Sequence, residues 1–265
     1  MSEPAAFFLP DGDNRFVATG HGRGPWSAGH LHAGPPSALL ARAIERAVGD
    51  DPALVARVTV ELMSPVPIGA LEIATSTLRA GRAVRRLEAT LSAGGRVLAR
   101  ASALATRIQA VDLPPIPPEA GEAPPRPESG TPFAFPVFHG DAVGYQTAVD
   151  ARQVRGGYGK NPTAVWIRTR VPLVPDEAPS ALQRVMIAAD SGNGVAVVLD
   201  PARYTFVNAD LTVYLHRALV GEWVCLDAVT IPEPTGIGLT RSRLWDLGGS
   251  FGWALQSLVV GARSE

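Results

Sequence analysis

The 265-residue chain is sparing with several kinds of residue, and each scarcity excludes something. Cys225 is its only cysteine, so no intrachain disulfide can form, and a reducing, cytoplasmic setting is expected. Lys160 is its only lysine; arginine supplies the other cations, and 24 basic against 25 acidic residues leave a net charge of -1. A general nucleic-acid binder depends on clustered excess positive charge, so none is expected here. No apolar run approaches the roughly 18 residues of a membrane helix. Met1–Pro10 has no basic start and no long apolar stretch, so it is not expected to be a secretory leader.

Catalytic and cofactor motifs are scarce as well. The Gly-x-Ser-x-Gly match at Gly248–Gly252 lies between two strand patterns rather than ahead of a helix, so it is no nucleophile elbow, which argues against a serine hydrolase. Arg155–Lys160 is Gly-rich but lacks P-loop spacing, and Gly20–Gly24 does not match the dinucleotide fingerprint. His30 and His32 have a metal-like spacing, yet no third ligand cluster accompanies them. No metal and no cofactor are expected.

What the chain does have is one pattern twice. Thr59-Val60-Glu61-Leu62 precedes Gly94-Gly95 and an alternating apolar run; Thr212-Val213-Tyr214-Leu215 precedes Gly248-Gly249 and another. A self-match of this kind marks a duplicated structural unit. Residues 109–132 carry eight prolines, which break helices and cannot donate to a strand ladder. That stretch reads as an extended linker between units at residues 1–108 and 133–265.

Each unit reads as a helix followed by strands. Pro36–Val48 places Leu40, Ala43, Ile44, Ala47 and Val48 on one stripe, with prolines at its start and Gly49 at its end. Strands are expected at Val55–Leu62, Ala70–Leu78, Val84–Leu91 and Val97–Thr106. In the second unit, strands at Tyr145–Gln153 and Thr163–Val171 come first. Ser180 then caps a helix, Ala181–Ala189, that is apolar nearly all round and therefore buried. Strands follow at Thr205–Leu215, Glu222–Val229, Gly238–Trp245 and Phe251–Val260. A sheet wrapped round one helix, twice over, is an α+β architecture that hides such a helix and can join the two sheets edge to edge.

Several stretches together resemble the double-hotdog acyl-CoA thioesterases, in particular the thioesterase-like proteins common in actinobacteria. They are Ala188–Gly194, Asn208–Arg217, Gly221–Trp223 and Gln256–Leu258, with His32–Pro36 and Ser64–Gly69 in the first half. The resemblance covers nearly the whole chain except the linker. It implies hydrolysis of an acyl-CoA by a water that is held by an Asp on the second helix, a Thr or similar residue on the next strand, and a Gln on the last. Those positions fall on Asp190, Asn208 and Gln256. Asn208 departs from the Thr of the better-known bacterial enzymes, although it too both donates and accepts hydrogen bonds.

On this reading Ser191–Gly194 offers N–H groups to the thioester carbonyl. Gly34 and Ser37 border the pocket with Ser191 and Gly192, and His216 and Arg217 reach the CoA phosphates. Val55 and Ser102 occupy the corresponding places in the first half, so one site per chain is expected. Blander roles exist for each: Asp190 capping a turn, Asn208 ending a loop, Gln256 facing solvent, and His216-Arg217 closing a strand. The competing functions are a non-catalytic acyl-thioester binding protein and a hotdog hydratase or dehydratase. The latter needs a His with an acidic partner; His32 is suitably placed, but no acid follows it nearby. Association into a homo-oligomer is expected by analogy.

Overall fold

A computed structural model describes residues 6–117, 121–140 and 143–263. Residues 1–5 of the N-terminal segment and 118–120 of the linker lie outside the described residues. In chain order the elements are β1 (Phe8–Pro10), β2 (Arg15–Ala18), α1 (Gly34–Val48), β3 (Ala53–Leu62), β4 (Ala70–Ala80), β5 (Val84–Ala93) and β6 (Arg96–Arg107). There follow β7 (Thr131–Pro132), α2 (Tyr145–Ala148), β8 (Val149–Arg155), β9 (Thr163–Thr169), α3 (Ala181–Ala189) and α4 (Gly192–Val195). The chain closes with β10 (Tyr204–Asn208), β11 (Asp210–Leu215), β12 (Val224–Pro232), β13 (Ile237–Asp246) and β14 (Gly249–Ala262).

All the described strands join one antiparallel sheet in the order β1-β2-β4-β5-β6-β3-β11-β14-β13-β12-β9-β8-β7, with β10 paired to β14. The order is symmetric about the β3–β11 seam. There Thr59 pairs with Thr212, Val58 with Val213 and Val60 with Leu211, so the repeated Thr-Val motif meets itself across a local two-fold. The two threonine hydroxyls lie 3.2 Å apart in a hydrogen bond. Both copies break at the same place: a bulge at Ala56 interrupts β3, and Ala209 separates β10 from β11. This is the double-hotdog arrangement that the resemblance implies.

The helices lie antiparallel on the inner face, and one core of apolar residues joins both units. The α1 stripe fills it with Leu39, Leu40, Ala41 and Ile44, and α3 with Val185, Met186, Ile187 and Ala189. Ser180 caps α3 as expected, its side chain accepting from the Gln183 N–H. The same hydroxyl donates to Glu45 near the end of α1, and Gln183 donates to Glu45 as well. Burial pushes the Glu45 carboxyl up from its ordinary pKa, against these hydrogen bonds, which lower it.

Three elements differ from the sequence expectation. Tyr145–Ala148 is a helical turn rather than the start of a strand, because Thr147 and Ala148 donate backwards to Gly144 and bury Tyr145. Thr205–Leu215 is two strands, divided at Ala209. Phe8–Pro10 and Arg15–Ala18 add a hairpin that covers one end of β4, held by the buried Phe7, Phe8 and Phe16. The linker is irregular over most of its described length, but Thr131-Pro132 pairs with β8, and Pro125 O accepts from the Trp166 indole at 2.7 Å.

The helix crossing is tightest at Gly34, where a Cβ would stand 2.4 Å from the Ile187 carbonyl oxygen. A backbone neighbour cannot step aside as a side chain can. Gly34→Ala is therefore expected to cost about 1–3 kcal/mol by overpacking. A lowered urea midpoint with unchanged m-value would show this; an unchanged midpoint would contradict the tight crossing.

Candidate active site

The crossing places the start of α1 against the end of α3, and a cavity of about 470 Å³ opens beside it. Its walls come from both halves. The first half gives Leu31, His32, Leu62, Met63 and Val66; the second gives Tyr145, Asp190, Asn193, Phe206 and Asn208. Most of the lining is apolar or aromatic, and His32, Asp190, Asn193 and Asn208 form one polar cluster in it.

Asp190 is the hub of that cluster. It is 4% exposed and sits at the C-cap of α3. One carboxylate oxygen, Oδ1, accepts from the Asn208 side-chain amide. The other, Oδ2, lies 3.0 Å from His32 Nδ1. Asn208 Oδ1 in turn faces the Asn193 amide at 3.4 Å, so both ends of the Asn208 side chain are engaged. A buried carboxylate is costly unless it is paired, and here both oxygens have partners.

His32 Nδ1 also lies 3.1 Å from the Gly34 N–H. A single nitrogen cannot donate to the carboxylate and accept from the amide at once. We assign the proton to Nδ1, because a lone pair aimed at an anionic oxygen is the costlier arrangement. The lone pair of the neutral imidazole is then on Nε2. The ring itself is clamped: it stacks on Tyr145 at 3.8 Å with planes 2° apart. Tyr145 is fixed by its own hydroxyl, which donates to Ile187 O at 3.0 Å and shares a 2.8 Å hydrogen bond with Ser191 Oγ. Burial above all holds the Tyr145 phenol far above its ordinary pKa, so it stays protonated.

Gln256 stands beneath this layer. It is 1% exposed and does not line the cavity. Its Nε2 donates to the Asp190 carbonyl oxygen at 2.9 Å, and its Oε1 accepts from the Asn193 N–H at 3.1 Å. It ties the end of α3 and the start of α4 to β14. The close fit explains Gly192, where a Cβ would lie 2.6 Å from Gln256 Oε1.

The other sequence candidates divide. Ser191 lines the cavity, but its N–H is spent on Ala188 O and its hydroxyl on Tyr145. With the Asn193 N–H on Gln256, two of the expected carbonyl donors of Ser191–Gly194 are already engaged. Gly34, Ser37 and Gly192 lie behind the cavity wall rather than on it. His216 and Arg217 are not at the site: they follow β11 at the end opposite Asn208. Arg217 grips Asp246 with both terminal nitrogens, at 2.5 and 2.9 Å, and also reaches Gly249 O. Arg217 is thus a structural clamp, and a phosphate role does not fit its partners.

His32 gains a partner that sequence reading missed. Its acid does not follow it in the chain; Asp190 arrives from the other half through the helix crossing. The one available signal was the shared two-fold, which sets the start of each helix against the end of the other.

Comparison with known proteins shows the family and the fold. Residues 22–107 match the model of the acyl-CoA thioesterase N-terminal domain, and residues 115–260 match that of the C-terminal domain. The chain belongs to the acyl-CoA thioesterase family. It is by class a thioester hydrolase. Among solved structures it is similar to one from Novosphingobium aromaticivorans with a provisional thioesterase designation, at TM-score 0.75 and 19% identity, covering 96% of this chain and 98% of that one. An acyl-CoA thioesterase II, TesB2, from Mycobacterium marinum is similar at TM-score 0.69 and 17% identity, over 97% and 96% of the two chains. A hot dog fold protein of unknown function from Alicyclobacillus acidocaldarius matches at TM-score 0.72 and 15% identity, over 98% and 97%. At these identities the likeness speaks for the fold. No curated protein sequence gave a match. No helix among the described residues is long and apolar enough to cross a membrane.

The Arg217–Asp246 clamp gives a test that separates stability from chemistry. Burial would raise the Asp246 pKa, but hydrogen bonds from Arg217, Val220 and Gly248 outweigh it and hold the carboxyl below its ordinary value. A depressed folded-state pKa contributes stability above the unfolded value of about 3.9, and that contribution is lost as pH falls through the folded value. Arg217→Ala is expected to cost about 2 kcal/mol at neutral pH. That is less than the full cost of breaking a buried pair, because Arg217 is 33% exposed. The gap from wild type should close below about pH 4, as chemical denaturation across pH would show, with kcat unaffected. A gap that held at low pH would contradict the electrostatic account.

Proposed function

We propose that the cavity binds the thioester of an acyl-CoA and that His32, Asp190 and Asn208 hydrolyse it with water, at one site per chain. The observation that carries this reading is the meeting of His32 and Asp190 beside a largely apolar cavity. Asp190 holds the imidazole with its Nε2 lone pair available, and Asn208 holds Asp190. A water beside His32 gives up a proton to Nε2 as its oxygen bonds to the thioester carbon. When the tetrahedral intermediate collapses, the C–S bond breaks and His32 returns the proton to the CoA sulfur. The Asn193 amide, held only by 3.3 and 3.4 Å contacts, is the group best placed to turn toward the oxyanion. Gln256 acts through Asp190 as a positioning residue. Acyl methylenes buried along the apolar wall are each worth about 0.8 kcal/mol.

The two-fold supports a single site. The helices begin 147 positions apart, at Gly34 and Ala181, so His32 and Asp190 correspond to Pro179 and Ala43. On the strands, the register matches Asn208 with Val55 and Gln256 with Ala103, one residue from the Ser102 that the sequence suggested. None of these can carry the same proton transfers. A cytoplasmic location and homo-oligomeric assembly complete the reading, supported by the single buried Cys225 and by the exposed row Val207, Val259 and Ile237 on the outer sheet face.

We expect Asp190→Asn and His32→Gln each to lower kcat by on the order of 10²–10⁴, the usual range for a general acid–base group. Asn208→Ala should cost less. Purified protein and an acyl-CoA panel check this. Equal turnover by wild type and Asp190→Asn would overturn the reading. Ligand-dependent melting without any turnover would leave the chain a thioester-binding protein. The His32–Asp190 pair is also what a hotdog hydratase requires, so conversion of enoyl-CoA to a 3-hydroxyacyl product would favour that second reading.

A further inference from the structure

Behind the cavity wall, under the turn between β12 and β13, lies a separate, partly open recess of about 10 Å³. Asn193, Val197 and Phe206 border both spaces. The remaining walls of the recess are apolar: Ala196, Val198, Leu199, Pro232, Leu258 and Val260. Thr230 is the one further polar side chain there, and its hydroxyl is bonded to Thr240 at 2.8 Å. Phe206 is 5% exposed and lies two residues before Asn208 on the same face of β10, so its ring stands one strand repeat from the reacting end. The ring is held edge-on by Trp26 at 5.6 Å, and Trp26 stacks on Phe138 at 4.9 Å.

The local two-fold supplies an internal comparison. Thr59 and Thr212 are equivalent, so the counterpart of Phe206 is Ala53. Phe206 pairs with Val260 on β14 as Ala53 pairs with Arg107 on β6; Asn208 pairs with Leu258 as Val55 pairs with Ala105. Ala53, Ala105 and Arg107 line a pocket of about 190 Å³ under the turn between β4 and β5. The same place in the fold is thus open where the residue is Ala and nearly closed where it is Phe. In the first half arginines surround it; in the second its walls are apolar and adjoin the reacting end.

We infer that Phe206 is the end-stop of the acyl cavity and sets the longest acyl chain the site accepts. The inference rests on the thioester reading of that cavity. Removing the ring joins the cavity to the apolar space behind it, and a longer chain then threads between Leu258 and Val260.

The experiment compares wild type, Phe206→Ala, Phe206→Leu and Phe206→Trp on saturated acyl-CoAs from acetyl to palmitoyl. Phe206→Ala should move the kcat/KM optimum to longer chains, with each newly buried CH₂ worth about fourfold, equivalent to ~0.8 kcal/mol. Phe206→Leu should move it less, and Phe206→Trp should shorten it. The gain should sit mainly in KM. The same profile is read without turnover from ligand-induced melting shifts in Asp190→Asn and Asp190→Asn/Phe206→Ala. Lengthened binding preference there supports the end-stop even if hydrolysis is absent, in which case the hydrolytic reading alone fails. Cooperatively folded Phe206→Ala or Phe206→Leu with the wild-type chain-length profile, in turnover and in binding, overturns the inference.

Discussion

The close antiparallel crossing of α1 and α3 is the constraint on which the rest of this molecule depends. Only glycine fits at position 34, where the Ile187 carbonyl fills the space of a side chain. The same approach brings the start of one helix to the end of the other and seats His32 against Asp190. A helix as apolar as α3 needs a sheet on one side and another helix on the other, and the seam at Thr59 and Thr212 supplies both by joining two half-sheets. Packing, symmetry and chemistry therefore share one geometric cause. A site assembled this way exists only when both halves are in place.

Symmetry in the backbone and asymmetry in the side chains make the two ends of the helix pair unlike. The bulges at Ala56 and Ala209, the strand order and the helix crossing repeat. The polar residues do not. The pseudo-equivalent end of the helix pair carries Glu45, Ser180 and Gln183 in a hydrogen-bonded set that leaves Gln183 Oε1 buried without a partner. That set caps α3; the opposite end orients an imidazole.

Much of the fold was legible in the sequence. The 3.6-residue stripe of α1, the Ser180 cap and the alternation of the long strands are local signals, and they appear where expected. The repeated Thr-Val motif marked the duplication, while the pairing of its two copies at the seam is non-local and emerges only in the fold. What escaped was non-local. Tyr145 read as the start of a strand, because its burial against His32 depends on a partner in the other half. Asp190, Asn208 and Gln256 were found through resemblance, and they do converge, but Gln256 lies a layer below the cavity. Arg217 read as a phosphate ligand, because sequence could not show that Asp246 waits for it at the end of β13. His32 was seen and set aside for want of an acid nearby in the chain, because its carboxylate partner comes from the other half.

The central claim is that His32 and Asp190, from opposite halves, act as one unit on a thioester. A double-mutant cycle on kcat/KM with His32→Gln, Asp190→Asn and the combined variant tests it most directly. Residues that act together give strongly non-additive losses. The account predicts that the combined variant is no slower than about the worse of the two single variants. Losses that multiply, with both single variants folded, would contradict it.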